Sequence, residues 1–168
     1  MYDKGTLIMY GNTGVCRVEE IAPMAGSLGS DKNRLYYKLS PLYGSGTIFV
    51  PVDTKIFMRP ILTRDEALSF IHRIPSIQSS YETDGDWHSV ATAYQECLHS
   101  HQCEELVHLI KAIYLKNQAS VEVGKRPYKM DQDFKKRAED LLHSELAAAL
   151  GIAPAEVPQF IEAELSKL

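Results

Sequence analysis

The sequence predicts an α+β chain in two parts, a small β-barrel over residues 1–60 and an all-α domain over residues 61–168. Three observations predict it. The first sixty residues hold short apolar and aromatic runs separated by glycine-containing turns. The pattern changes after Pro60. Beyond that point apolar residues recur three and four apart, with capping residues in front of the runs and Gly151 behind one of them. The 168 residues are 45% hydrophobic, enough for two modest cores, although a β domain of about sixty residues is marginal by itself.

Taken in order, residues 6–10 are an apolar run, and Gly11-Asn12-Thr13-Gly14 is turn chemistry, because Gly and Asn accept positive φ. Residues 15–21 alternate imperfectly. Val15, Arg17, Glu19 and Ile21 share one face, and Cys16, Val18 and Glu20 the other, which leaves the inward face open. Residues 25–33 read as a loop. Residues 34–39 are aromatic and strand-like, Tyr43-Gly44-Ser45-Gly46 turns the chain, and residues 47–52 form the next strand. Pro51 lacks an N–H for a sheet ladder, so it belongs at a strand end or a sheet edge. Residues 55–58 add a fifth strand.

The helical half opens with Thr63 and Glu66, a capping box for a helix reaching about Ile74. Residues 75–85 are polar and turn-rich, and Asp86 is placed to cap a helix from Trp87 to His99. Cys103, Leu106, Val107, Ile110, Ile113 and Tyr114 have helical spacing. Residues 117–130 read as a basic loop. Asp131 caps a long helix with Phe134, Ala138, Leu141, Leu142, Glu145 and Ala149 on one face, and a last helix runs over residues 154–166. No internal repeat is present.

Charge is uneven. The net value is −4, which argues against a strong nucleic-acid binder. Yet residues 111–137 gather Lys111, Lys116, Lys125, Arg126, Lys129, Lys135, Lys136 and Arg137 against Glu122, Asp131 and Asp133. Screening limits the reach of distant charge to about 8–10 Å, so a local basic patch still acts on phosphate. Three cysteines do not make a disulfide framework. With no apolar run of membrane-spanning length and no signal-peptide pattern, the expectation is a mature cytoplasmic chain. Cys97, His99, His101 and Cys103 carry zinc-ligand chemistry, but their spacing matches no finger, and ordinary helix-face residues are the stronger reading; no metal or cofactor is expected. No nucleophile elbow, phosphate loop or H-E-x-x-H is present, and Asp84 with Asp86 lacks a nameable acid partner, so no enzyme is expected.

The opening Lys4-Gly5-Thr6-Leu7-Ile8-Met9-Tyr10, then Gly14-Val15-Cys16-Arg17-Val18, Tyr36-Tyr37-Lys38-Leu39 and Ile48-Phe49-Val50-Pro51-Val52 resemble the CarD/CdnL family of bacterial transcription regulators. Asp86-Trp87 ahead of a helix, the basic loop and Glu145-Leu146-Ala147-Ala148-Ala149-Leu150-Gly151-Ile152 extend the resemblance over nearly the whole chain. Order and spacing carry it more than any single motif. The resemblance implies a Tudor-like N-terminal domain, shared with transcription-repair coupling factors, that binds the RNA polymerase β subunit. It also implies a helical domain that touches promoter DNA in the minor groove at the upstream edge of the bubble. There, the resemblance implies, a tryptophan wedge holds the melted complex open; separately, a monomer without membrane association is expected.

The polymerase-binding residues so implied are Met24, Phe49, Val50 and Pro51. Relatives often carry arginines where Met24 and Phe49 stand, so this interface is expected to be more apolar. The DNA-binding set is Trp87 with Lys125, Arg126, Lys129, Lys135, Lys136 and Arg137. Relatives also place basic residues just after the tryptophan, whereas Ser89, Val90 and Thr92 follow here. Each assignment has a plainer counterpart. A lone Trp usually packs in a core, and a charge run is usually a solvated face. The alternative function is a protein-interaction adaptor whose helical domain never engages DNA.

Overall fold

The computed structural model describes residues 1–24, 33–79 and 85–168. The expected loop at 25–33 lies outside the described residues except for Asn33, and Asp84, the first residue of the expected 84–86 turn, lies outside them too. The chain divides into two compact units, Met1–Ile61 and Leu62–Leu168.

The first unit is a five-stranded antiparallel sheet of β1 (Leu7–Tyr10), β2 (Gly14–Pro23), β3 (Leu35–Pro41), β4 (Ile48–Pro51) and β5 (Met58–Pro60), in the order β4-β3-β2-β1-β5. The fifth strand falls at 58–60 rather than 55–58, because Met58 pairs with Tyr10 of β1 and the preceding residues carry the chain across to that edge. Gly11 starts the β1–β2 turn at φ +45°. A Cβ there would stand 3.1 Å from the Ile56 side chain, while its N–H donates to the Phe57 carbonyl. Pro51 ends β4, which is an edge strand, and both expectations for it hold.

The imperfect alternation of β2 has a physical cause. Cys16 and Val18 point inward, then the register with β3 shifts between Val18 and Glu20, and Ile21 packs on the core with opposite parity. The core is Ile8, Tyr10, Cys16, Val18, Tyr37, Leu39 and Val50. Burial pushes the Cys16 thiol up to about 11, so it stays protonated and inert. Tyr2 ties β3 to β5: its N–H donates to the Tyr37 hydroxyl (2.9 Å) and its own hydroxyl donates to the Met58 carbonyl (3.2 Å). Those strands are three positions apart, about 14 Å in a flat sheet. One tyrosine reaches both because the sheet curls around this core.

The second unit holds α1 (Arg64–Arg73), α2 (Trp87–His99), α3 (Cys103–Glu122), α4 (Lys129–Leu150) and α5 (Val157–Leu165). The α+β class is therefore as expected. Thr63 and Glu66 form the capping box on α1, and Gly151 ends α4 in the left-handed region at φ 72°. Helix α4 packs against the other four helices. Asp86 is the N-cap residue of α2, but its side chain makes no capping hydrogen bond. Among the described residues no helix is long and apolar enough to cross a membrane.

Two expectations in this half are corrected. The loop at 117–130 is shorter, because α3 continues to Glu122 and α4 begins at Lys129. The polar residues there are used between helices, with Asn117 and Gln132 exchanging amide hydrogen bonds of 2.8 and 3.2 Å. Asp131 is not the cap of α4; Tyr128 is the N-cap residue. Asp131 lies inside the first turn, fully buried, accepting from the Tyr94 hydroxyl (3.0 Å) and pairing with the Lys116 ammonium (3.0 Å). A second buried acid, Glu145, accepts from the Leu62 N–H (3.0 Å) and the Cys103 thiol (3.2 Å), which explains a carboxyl group on an otherwise apolar face.

Candidate functional site

Strand register builds the first surface. Glu20 pairs with Lys38, and Lys38 with Phe49; one step on, Ala22 pairs with Tyr36, and Tyr36 with Pro51. Side chains at alternate positions share a face, so these two rows lie together on the side of the sheet away from the core. Glu20, Lys38, Phe49, Ala22 and Tyr36 of these rows, with Pro23 and Met24, surround a hollow of about 370 Å³, and Pro51 stands outside its lining. Phe49 is 54% exposed and Met24 is exposed at its rim. The acid and base of the first row offset each other, so the hollow is apolar with no strong net charge. Val50 is the exception within the expected polymerase-binding set: it pairs with Tyr37 and is buried in the core, so it positions Phe49 and Pro51 and offers no contact of its own.

The second surface lies wholly in the helical unit. Trp87 is the first residue of α2 and is 62% exposed, which removes it from the core. Its ring stacks on His88 at 3.6 Å, which covers one face, while the residue as a whole stays mostly exposed. It lines a cavity of about 710 Å³ together with Gly85, Asp86, Val90, Lys116, Tyr128, Lys129 and Met130. The starts of α2 and α4 thus meet at one hollow. Lys116 fixes the far wall, because it pairs with Asp131 and lies 5.1 Å from the centre of the Tyr128 ring.

The basic residues do not act as one patch. Lys111 is turned inward, donating to the carbonyls of Ile74 and Ile77. Lys125 and Arg126 are exposed in the α3–α4 connection, and Lys129 faces the cavity. Lys135 pairs with Glu139 (3.0 Å) and Lys136 with Asp140 (3.2 Å), while Arg137 lies over the Phe134 ring. Residues turn by about 100° each around a helix. Lys129, Lys136 and Arg137 therefore fall opposite the buried Ala138 and Leu142, whereas Lys135 sits toward the core side and is half-buried. The expected set separates into a cavity lysine, an exposed loop pair and a partly neutralised helix face.

The Cys-x-His-x-His-x-Cys segment spreads apart. The Cys97 thiol donates to the Glu105 carbonyl, the Cys103 thiol to Glu145, and His99 bonds with Gln95. Two residues on the surfaces escaped the sequence reading. Tyr36 was legible as the outward neighbour of a strand pair. Tyr128 follows Pro127 in a basic stretch, and an aromatic among lysines was the signal available for it.

Residues 2–62 match the CarD-like/TRCF RID domain family, which supports an RNA polymerase-interacting role connected with transcription. The match covers the sheet unit and stops at the start of the helical one, so the resemblance is met over the first part of the chain. No curated protein matches the chain.

Proposed function

We propose, on the premise that residues 2–62 are a CarD-like/TRCF RID domain, that this chain is a cytoplasmic, non-enzymatic bacterial transcription regulator which binds the RNA polymerase β subunit and stabilises the open promoter complex. The β-subunit contact runs through Met24, Phe49 and Pro51 on the outer face of the sheet. The helical unit, as a monomer, meets promoter DNA at the upstream edge of the bubble, with Trp87 as the wedge in the minor groove. Apolar side chains of this kind partly unstack a base step at a cost of a few kcal/mol, which a melting step already lowers.

The observation that carries the reading is the exposure of Trp87 at the start of α2. A large aromatic ring left mostly in water, beside a lysine-lined hollow and in a different unit from the RID domain, suits a ligand better than a core. The test pairs two measurements on Trp87→Ala. Polymerase binding and thermal unfolding should stay unchanged. The open-complex lifetime should fall by a factor between several and a hundred, corresponding to about 1–3 kcal/mol for one stacking contact. An unchanged lifetime would sink the wedge. The adaptor reading draws on the neutralisation of Lys135 and Lys136 by their i+4 acids; it requires that no footprint of residues 62–168 form on promoter DNA in the polymerase complex.

A further inference from the structure

We infer that the cavity between the starts of α2 and α4 is a binding site for one unpaired nucleotide of a single DNA strand, with Tyr128 as a second stacking residue beside Trp87 and Lys129 as the phosphate contact. The inference rests on the reading above that the helical unit meets melted DNA, and it names what this site takes from that DNA.

The lining carries the argument. Two large aromatic rings, Trp87 and Tyr128, are each 62% exposed and line the same hollow, whose volume of about 710 Å³ lies within the usual range for small-molecule sites, about 300–1,000 Å³. His88 backs one face of the Trp87 indole, so an incoming ring has the other face to stack on. Lys116 holds Tyr128 from beneath through its pair with buried Asp131, which keeps that ring at the cavity wall. Aromatic faces accept any base, because every base has a π-face. A base still paired in a duplex cannot enter a cavity, so the occupant must have left its stack.

Charge sets the orientation. Asp86 lines the α2 side and repels phosphate there. Lys129 lines the α4 side and, among the described residues, makes no ion pair with an acid. The start of α4 adds backbone N–H groups without a side-chain cap, which favours negative charge at the same end. The base therefore lies against the rings and its phosphate beside Lys129.

Trp87 is the one tryptophan of the chain, so its fluorescence reports on this cavity without a label. The full chain is titrated with a short single-stranded oligodeoxynucleotide, with the matching blunt duplex, and with a deoxynucleoside monophosphate. Saturable quenching is expected for the single strand, about tenfold tighter than for either of the other two. Tyr128→Ala and Lys129→Ala should each weaken it by about tenfold, Tyr128→Phe should retain most of it, and Lys167→Ala, an equal charge change elsewhere, should have no effect. Equal or tighter duplex binding, a free monophosphate that binds as tightly as the strand, no saturable quenching at millimolar strand, or full affinity in both Tyr128→Phe and Lys129→Ala with Tyr128→Ala also unchanged would each overturn the inference. Failure of the wider reading looks different. If the strand binds as expected but the chain leaves open-complex lifetime unaltered, the promoter role falls and the nucleotide site stands. If Trp87→Ala shortens that lifetime and Tyr128→Ala does not, the wedge stands and the nucleotide site falls.

Discussion

The two units of this chain solve the problem of a small core in opposite ways. Among the described residues of Met1–Ile61, every buried side chain is apolar or aromatic, and the charged partners Glu20 and Lys38 face outward. Leu62–Leu168 buries two acids, Asp131 and Glu145, each held by groups from other segments. The difference shows where each unit needs precision. A sheet fixes its outer face through strand register, which backbone hydrogen bonds enforce. Helices can slide and rotate on apolar contacts, and a buried polar group bonded to two partners permits one arrangement. Asp131 joins the start of α4 to α2 through Tyr94 and to α3 through Lys116, so it sets Tyr128 and Lys129 opposite Trp87.

The largest expected effect tests that contrast directly. Asp131→Ala removes the buried carboxylate that Tyr94 and Lys116 hold and should destabilise the helical unit by about 3–5 kcal/mol. Calorimetry of the full chain should show one transition lowered and the sheet unit's transition unmoved. A loss below about 1 kcal/mol would mean that apolar packing alone positions α4.

A smaller effect is expected on the sheet side, and in binding rather than stability. Phe49→Ala removes an exposed ring from the outer face, so the melting profile should hold while β-subunit affinity falls by about 2 kcal/mol, near thirtyfold. Because the hollow carries no strong net charge, that binding should change little between low and physiological salt. Steep salt dependence would place the contact elsewhere.

The smallest effect sharpens the comparison by pH. All six histidines lie in the helical unit. Burial lowers the pKa of His143 below its ordinary 6.5, against the opposing pull of Glu139 and Asp140. The unfolded chain then binds a proton more readily than the folded one, so this contribution is fully present above about pH 6.5 and is lost as pH falls below it. The helical transition should move down between pH 7 and 5.5, and His143→Gln should flatten the dependence. A helical unit that gains stability over that interval contradicts the assignment.

Much of this was legible in residue order. The capping box at Thr63, the stop at Gly151, the edge position of Pro51 and the change of period after Pro60 are local signals, each set by the chemistry of a few neighbouring residues. The end of α3 was not, because Asn117 and Gln118 have the composition of a loop and serve as a helix-to-helix contact or a helix surface. Asp131 had the position of a cap and the environment of a core residue. Val50 had the motif of a contact and the parity of an inward side chain.

What the sequence determined by itself is the α+β order, the location of the division, and the family pattern of the sheet unit, since all three are written in periodicity and short motifs. What only the tertiary structure decided is which side of β2 faces inward beyond its bulge, that Trp87 is exposed, and that Tyr128 and Lys129 come to the same hollow forty residues away. The first follows from the pairing of β2 with β3, and the other two depend on how α2, α3 and α4 pack around one buried carboxyl group. A hollow shared by residues so far apart leaves no period in the sequence to read.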